Sequence, residues 1–347
     1  MRRLLALLIL AAALAPGTWL RQALPPPSYD LDLRFDQVRL PARAELAAHL
    51  APFELEAAWR LHSAHEDFGS YSALVAPGKG RLLAFSDRGF MLGFSPPGSP
   101  ASPPLIRPIH ASTSMLKKNR DAEAATIDPA SGTIWIGWEY RNAISRHDSA
   151  FSDAVTVEPA AMRDWGANSG PEAMTRLADG RFLALREGFS GTTEDRRHRA
   201  LLFPGDPVEV AEPVSFEFVG PRGFSPTDMA QIPDGRVLIL MRRVVWPFPP
   251  RFAGRIVLAD PAAIRAGEPW QGIAVARLAS VLPVDNFEGM AIAPREDGRL
   301  TVWLISDDNG AALQGTVLWK LVLDPADLPA ANRKARERPA RLPEKSD

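Results

Sequence analysis

Five acidic or hydroxyl residues precede hairpin-like segments along this chain, and their types and spacing suit them for chemistry. They recur at roughly 50–60 residues, a period typical of propellers and repeat arrays. The five are Ser72, Glu123, Glu172, Asp228 and Glu288. Each is followed by apolar residues, a Gly-rich turn, a second apolar stretch and another charged cluster. Because antiparallel pairing brings the end of the second strand back beside the start of the first, each unit carries its charges at one end of a hairpin.

This pairing predicts specific neighbours at the hairpin ends. The expected pairs are Glu123 with Glu139, Glu172 with Glu187, Asp228 with Arg242, and Glu288 with Asp307. In a propeller the first strand of each blade lines the central channel, so the five leading residues should form a ring at one mouth. The expected outer shell is Asp87, Glu139, Glu187, Asp307 and Asp308, interleaved with Arg88, Arg141, Arg186, Arg242 and Arg243.

Carboxylates in such a ring raise one another's pKa, so the ring needs compensating positive charge. Arginine could supply it, or a hard cation could. Since the chain has no Cys, the ligands would be oxygens, which favour Ca²⁺ and, less strongly, Mg²⁺. The expected metal ligands are Glu123, Glu172, Glu288, Asp307 and Asp87. The alternative is a structural network in which these acids pair with arginines and backbone N–H groups and hold the blades together.

Other candidate sites are weaker. The histidines lack metal-ligand spacing, and Gly166–Gly170 lacks the nucleophile-elbow pattern. The basic run Lys117–Arg120, which includes Lys118, lies just before Glu123 and could reach an anionic group over the channel mouth. A solvated loop is the alternative for that run.

The elements that must position these residues read as β-strands. Short alternating or apolar runs are separated by Asp-Gly and other Gly-rich turns, which supply the positive φ of tight hairpins. Room for two more strands after most hairpins gives four strands per repeat, as in a propeller blade. We therefore predict an all-β propeller with five motif-bearing blades, six being the alternative count. A strand within Phe53–Leu61 should close the ring, and Ala42–Leu50 should form a short helix.

Composition limits the function classes. The formal net charge is -1, and the hydrophobic fraction of 46% suffices for a large core. We expect no nucleic-acid partner. Residues 1–27 read as a signal peptide or N-terminal anchor with a Pro-rich spacer. The remaining boundaries are a single propeller at 28–325 and a charged, Pro-rich tail at 326–347. A periplasmic or secreted monomer is expected, with membrane contact only through an uncleaved N-terminal segment.

Several motifs resemble those of the phytase-like family, described as "esterase-like activity of phytase", which consists of exported bacterial proteins. The most specific are Asp285-Asn-Phe-Glu-Gly-Met-Ala-Ile292 and Leu304-Ile-Ser-Asp-Asp-Asn309. Arg81-Leu-Leu-Ala-Phe-Ser-Asp-Arg-Gly89, Asp121-Ala-Glu-Ala124 and Gly223-Phe-Ser-Pro-Thr-Asp-Met229 add to them. The resemblance covers most of the chain, from about Ser70 to Leu323.

The resemblance implies a propeller similar to Ca²⁺-dependent phytases, with carboxylates that hold metal or activate water. Those residues would be Glu123, Glu172, Asp228 and Glu288, and the anionic group would be held by Arg88, Arg141 and Arg242. Lys118, from the basic run before Glu123, is the further candidate for that group. The expected function is hydrolysis of a small anionic or ester substrate, either a phosphate or a carboxylic ester. A non-catalytic propeller that binds a ligand or an envelope protein, and a metal-dependent lactonase, are the alternatives.

Overall fold

The computed structural model describes residues 28–109, 120–190, 197–209, 212–247, 250–279, 281–311 and 313–330. The predictions for residues 1–27, for Lys118 and for the tail from residue 331 lie outside these ranges. The division into domains therefore stays a prediction. No helix within these ranges has the length and apolar character needed to cross a membrane.

The first elements are a strand, a helix and a long strand. They are β1 (Arg34–Gln37), α1 (Arg43–Leu50) and β2 (Glu54–His62). Leu46 and Leu50 are the buried residues of α1 and pack into the core shared with the last blade. The helix predicted at Ala42–Leu50 is thus present with nearly the same bounds.

The remaining strands form five antiparallel sheets, which we number as blades. Blade 1 contains β3 (Tyr71–Gly78), β4 (Arg81–Ser86), β5 (Phe90–Phe94) and β6 (Leu105–Pro108). Blade 2 contains β7 (Ala122–Ile127), β8 (Ile134–Trp138), β9 (Ala143–His147) and β10 (Ala154–Val157). Blade 3 contains β11 (Pro171–Arg176), β12 (Phe182–Ser190), β13 (Arg197–Phe203) and β14 (Val214–Val219), with β18 (Pro269–Gln271) added in parallel.

Blade 4 contains β15 (Ser225–Gln231), β16 (Val237–Pro247), β17 (Pro250–Ala259) and β19 (Ile273–Leu278). Blade 5 contains β20 (Asn286–Pro294), β21 (Leu300–Asp307) and β22 (Val317–Leu323), and it is completed by β2 and β1 from the start of the chain. Short 3₁₀ turns lie at Ala160–Met162, Pro261–Ala263 and Pro325–Asp327.

The blades form a closed ring, which confirms the predicted propeller and fixes the count at five. The innermost strands β3, β7, β11, β15 and β20 each contact the next, and β20 contacts β3. β2 pairs with β22 in antiparallel register. The strand predicted within Phe53–Leu61 therefore supplies the fourth strand of blade 5 and joins the two ends of the ring.

The core lies between the blades. Alternate residues of a strand face the two neighbouring blades. In β16, the second strand of blade 4, Leu238 and Leu240 pack toward blade 5, while Val237 and Ile239 pack toward blade 3. This explains why the inner strands read as continuous apolar runs rather than as alternating ones. The stacked blades hold the five inner hairpins in fixed relative positions, and hence the charged residues at their ends.

Candidate functional site

A β-bulge occurs at the same place in all five inner hairpins. The register shifts by one residue between Tyr71 and Ala73 in blade 1, and at the equivalent point in the other four blades. The residues skipped by the pairing are Ser72, Glu123, Glu172, Thr227 and Glu288. Bulges next to functional sites commonly redirect a side chain away from the ladder. The repeated chemistry of the sequence therefore coincides with a repeated backbone irregularity at one channel mouth.

Two groups of carboxylates converge at this mouth, between blades 2 and 3. The first is Asp121, Glu123 and Glu139, and the second is Glu139, Glu172 and Glu187. Within each group the carboxylate oxygens lie within 4.8 Å of one another, and Glu139 belongs to both. We call them the first and second triads. The predicted neighbours Glu123 with Glu139 and Glu172 with Glu187 are therefore brought together.

Backbone contacts explain how the triads form across two blades. The Glu139 N–H donates to the Asp121 carbonyl oxygen at 2.9 Å, which fixes the ends of β7 and β8 together. Gly170 precedes β11, and a Cβ added there would lie 2.3 Å from the Glu139 Cα. Since only glycine allows so close an approach, Gly170 lets Glu172 come within reach of Glu139.

Arg242 joins this acidic region to blade 5. Its Nε lies 2.9 Å from Glu288 Oε1, and its Nη2 lies 3.5 Å from Glu187 Oε1. Asn286 donates its side-chain N–H to Glu288 Oε1 at 2.7 Å and lies 3.5 Å from Asp307 Oδ2. The predicted neighbours Glu288 and Asp307 are thus linked through Asn286. Arg242 binds carboxylates of blades 3 and 5 rather than Asp228.

The electrostatics of the mouth are dominated by burial and like charge. Burial raises the pKa of Glu123 well above its ordinary value, and Glu172 and Glu288 raise it further. Burial likewise raises the pKa of Glu172, Glu288 and Asp307. Burial alone would lower the pKa of Arg242, but Glu288 and Glu187 outweigh it and raise that pKa. After burial, neighbouring carboxylates are therefore the main cause of the raised pKa of Glu123.

Asp87 follows β4 of blade 1, and Asp307 ends β21 of blade 5, both at the same mouth. Asp87 is close enough to raise the pKa of both Glu123 and Asp307. Asp307 accepts the Asn309 N–H at 2.7 Å. Among the described residues, neither aspartate belongs to a triad. Of the expected ligands, Glu123 thus belongs to the first triad and Glu172 to the second, while Glu288, Asp307 and Asp87 form a neighbouring acidic group.

Asp228 occupies a different position from the one expected. The bulge of blade 4 is at Thr227, and Asp228 itself is fully buried. Its carboxylate accepts the Met229 N–H at 2.8 Å and the Met290 N–H at 2.6 Å. The backbone of Leu74 also donates to it. Burial raises the pKa of Asp228 well above its ordinary value, although these bonds oppose the rise. Asp228 thus joins blades 1, 4 and 5 inside the channel.

We expect Asp228→Ala to lower the free energy of unfolding by about 3 kcal/mol, because it leaves several buried N–H groups without an acceptor. Asp228→Asn keeps one acceptor oxygen and should cost less. Denaturant titration of both variants measures this. A loss below about 1 kcal/mol in Asp228→Ala would show that these bonds do not hold the blades.

The other predicted anion-binding residues lie at the rim or outside the described ranges. Arg88 donates to the Glu66 carbonyl oxygen at 2.9 Å and lies 3.7 Å from Asp67. Arg141 forms a surface ion pair with Glu158 at 2.6 Å. Lys118 is not among the described residues. Arg242 is therefore the candidate that the structure places between the acids of the mouth.

A family model described as "Phytase-like: Esterase-like activity of phytase" matches residues 66–310. The chain belongs to the phytase-like family. The match includes both triads, Arg242 and Glu288, so the family assignment covers the whole candidate site. A comparison with curated proteins gave no match.

Three solved structures resemble this phytase-like chain at a distance. Myxococcus xanthus glutaminyl cyclase is 13% identical, with 78% of this chain and 97% of that chain covered and a TM-score of 0.46. A luciferin-regenerating enzyme is 11% identical, with 77% and 84% covered and a TM-score of 0.42. Kuenenia stuttgartiensis hydrazine synthase is 12% identical, with 70% and 58% covered and a TM-score of 0.35. At these TM-scores the similarities carry no argument about function.

The donor set of the phytase-like mouth fits a hard cation. All ligand atoms are carboxylate oxygens, which lie within 4.8 Å of one another in each triad, and hard cations prefer such ligands. Three triad members were not among the expected ligands: Glu139 and Glu187, which were expected in the outer shell, and Asp121. For Asp121, the position two residues before Glu123 is the signal that could have indicated it. The acidic clusters could thus bind a metal ion.

Proposed function

We propose that this phytase-like chain is an exported hydrolase that cleaves phosphate or carboxylic esters at the acidic channel mouth, with Ca²⁺ held by the triads. The observation that carries the proposal is the sharing of Glu139 between two groups of carboxylates beside Arg242. A purely structural network would pair each acid with an arginine or with backbone N–H groups, as it does for Asp228. Here the strongest influences on Glu123 after burial are other carboxylates.

The triads would hold the cation, with Asp121 and Glu123 on one side of Glu139 and Glu172 and Glu187 on the other. When bound, the cation supplies Lewis-acid chemistry, lowering the pKa of water and offsetting charge on the reacting group. The protein residues then have separate tasks. The carboxylates would hold and position the cation, and their burial limits the access of bulk water to it.

Glu288 and Arg242 are suited to the chemical step. Glu288 has a raised pKa and is held in place by Arg242 and Asn286, as expected of a general base that works near neutral pH. It would accept a proton from the attacking water and return it to the leaving alcohol oxygen as the ester bond breaks. The Arg242 guanidinium would donate to the developing oxyanion.

Turnover measurements test this directly. Purified protein should hydrolyse a phosphate or carboxylic ester in Ca²⁺ and lose that activity in chelator. If Ca²⁺ raises the melting temperature without any turnover, the ligand-binding propeller is supported instead. Turnover of lactones alone supports the lactonase. If neither turnover nor a melting shift occurs, the proposal fails.

The pH dependence of stability gives a second test, and its sign follows from the raised pKa values. A carboxyl group with a raised folded pKa contributes stability that is present below its unfolded value of about 4.5 and is lost as the pH rises through its folded pKa. We therefore expect the melting temperature without Ca²⁺ to fall from pH 5 to pH 8, and Ca²⁺ to restore more of it at pH 8.

Glu172→Gln is the matched variant for this experiment. His198 should make the protein more stable as the pH rises, because burial lowers its pKa. The quantity to measure is therefore the difference in melting temperature between wild type and variant at each pH. Without Ca²⁺ the variant should lose less stability than wild type as the pH rises. Identical pH profiles of wild type and variant would contradict the raised pKa assigned to Glu172.

A further inference from the structure

Blade 4 carries a hairpin that extends beyond the level of the channel mouth. Its strands β16 and β17 stay paired past Arg242 as far as Pro247 and Pro250, and in blade 3 the strands β12 and β13 likewise stay paired past Arg186 as far as Ser190 and Arg197. Val244 and Val245 on this extension are 52% and 46% exposed. These two apolar side chains are therefore exposed to solvent and are not part of the buried core.

Three arginines lie on neighbouring strands of the same blade. They are Arg243 on β16, Arg255 on β17 and Arg277 on β19, with Arg255 and Arg277 directly opposite each other. The guanidinium carbons of Arg243 and Arg255 lie 4.8 Å and 4.6 Å from the centre of the Phe224 ring. Like charges directly opposite in a sheet are destabilising, so an anion bound at this face would relieve the repulsion between Arg255 and Arg277.

The protein does not supply that anion within its described part. None of the three guanidinium groups lies within 4.0 Å of a carboxylate among the described residues. Arg255 donates to the adjacent Gly254 carbonyl oxygen at 2.9 Å, and Arg277 lies 3.2 Å from His49 Nδ1. The pKa of Arg255 is lowered by burial and by its two arginine neighbours. Elsewhere exposed arginines such as Arg141 and Arg199 pair with acids.

We infer that Arg243, Arg255 and Arg277, together with Val244 and Val245, form a docking surface for a membrane containing anionic phospholipids. Guanidinium forks match phosphate oxygens, and basic residues beside exposed apolar ones are the pattern of interfacial membrane binding. A soluble anion would account for the arginines but not for the exposed valines of the same hairpin. Docking here would hold the channel mouth close to the lipid surface.

Vesicle sedimentation of the full chain tests the surface. Vesicles contain either phosphatidylcholine alone or equal parts of phosphatidylcholine and phosphatidylglycerol, and chelator is present so that no cation bridges lipid to the acidic mouth. We expect binding to the anionic vesicles that weakens with added salt. Replacing all three arginines by Gln should weaken it about a hundredfold, since each arginine near an anionic surface contributes about a factor of five.

Two further variants keep the test sharp. Val244→Thr with Val245→Thr preserves side-chain shape and strand propensity, leaves the three arginines and Phe224 in place, and should weaken binding about tenfold through lost apolar contact. Arg34, Arg39 and Arg163 are exposed, and their joint replacement by Gln removes the same charge and should leave binding unchanged. All variants keep the same N-terminal residues, so any vesicle binding through that segment is common to them. Differences in binding between variants therefore report on the blade 4 surface.

The opposite results overturn the inference. The first is equal vesicle binding by wild type and both blade 4 variants. The second is that the control variant loses as much vesicle binding as the variant of the three arginines. The third is that inorganic phosphate competes with vesicle binding while the valine changes have no effect. The last would indicate a site for a soluble anion.

Discussion

Replacing Glu139 by Gln should abolish calcium binding at both triads and reduce Ca²⁺-dependent ester hydrolysis by at least about a hundredfold, more than is typical for loss of an outer-shell partner. Glu139 supplies an oxygen to each group of carboxylates. Its loss leaves two incomplete pairs, Asp121 with Glu123 and Glu172 with Glu187. Isothermal titration with Ca²⁺ and turnover at saturating Ca²⁺ measure the two effects.

Glu158→Gln is the matched control for this variant. Glu158 has the same side-chain type in the same blade region but forms an exposed pair with Arg141, and such pairs contribute little. It should bind Ca²⁺ and turn over substrate as wild type does. Wild-type calcium affinity in Glu139→Gln would contradict the assignment of Glu139 as a shared ligand.

Arg242→Gln should have the largest effect on stability. The change leaves Glu288 and Glu187 without their cation in a buried region, and breaking a buried pair by removing one partner costs about 3–5 kcal/mol. Hydrolysis should fall by at least about a hundredfold, because the oxyanion loses its donor. Denaturant titration at pH 8, together with kcat measured below the melting temperature, checks both.

The pH dependence separates electrostatic loss from lost packing. At pH 5 protonation of Glu288, whose pKa is raised, should recover part of the stability of Arg242→Gln. Adding Glu288→Gln should recover it at pH 8 without restoring activity. If Arg242→Gln lost the same free energy of unfolding at pH 5 and pH 8, or if Glu288→Gln did not restore stability, Arg242 would act through packing alone.

Features set by local sequence were predictable. Asp-Gly turns and apolar runs marked the inner hairpins, and all five are present. Closure of the ring by β2 followed from the missing fourth strand of the last blade and the apolar pattern near Phe53. The phytase-like assignment rested on motifs around Glu288 and Asp307, and the family match over residues 66–310 confirms it.

The register inside the hairpins was harder to predict. Asp228 was aligned with the leading acids because it is an acid, but pairing places Thr227 at the bulge and Asp228 level with Gly289. Aligning Met229 with Met174 and Met290 would have given the correct register. The convergence of carboxylates from blades 2 and 3 could not be predicted from the sequence either. It depends on the close contact between Gly170 and Glu139, which is set by how the two blades stack. Arg141 lies in the turn after β8, so pairing could not direct it toward the mouth.

The most direct test of the central claim is a crystal structure of the protein saturated with Ca²⁺. We predict a cation at the triads with a Glu139 oxygen at about 2.3–2.6 Å, the distance range of calcium–oxygen ligation. Calcium-saturated crystals with no cation at either triad would contradict the claim that this mouth is a metal-dependent site.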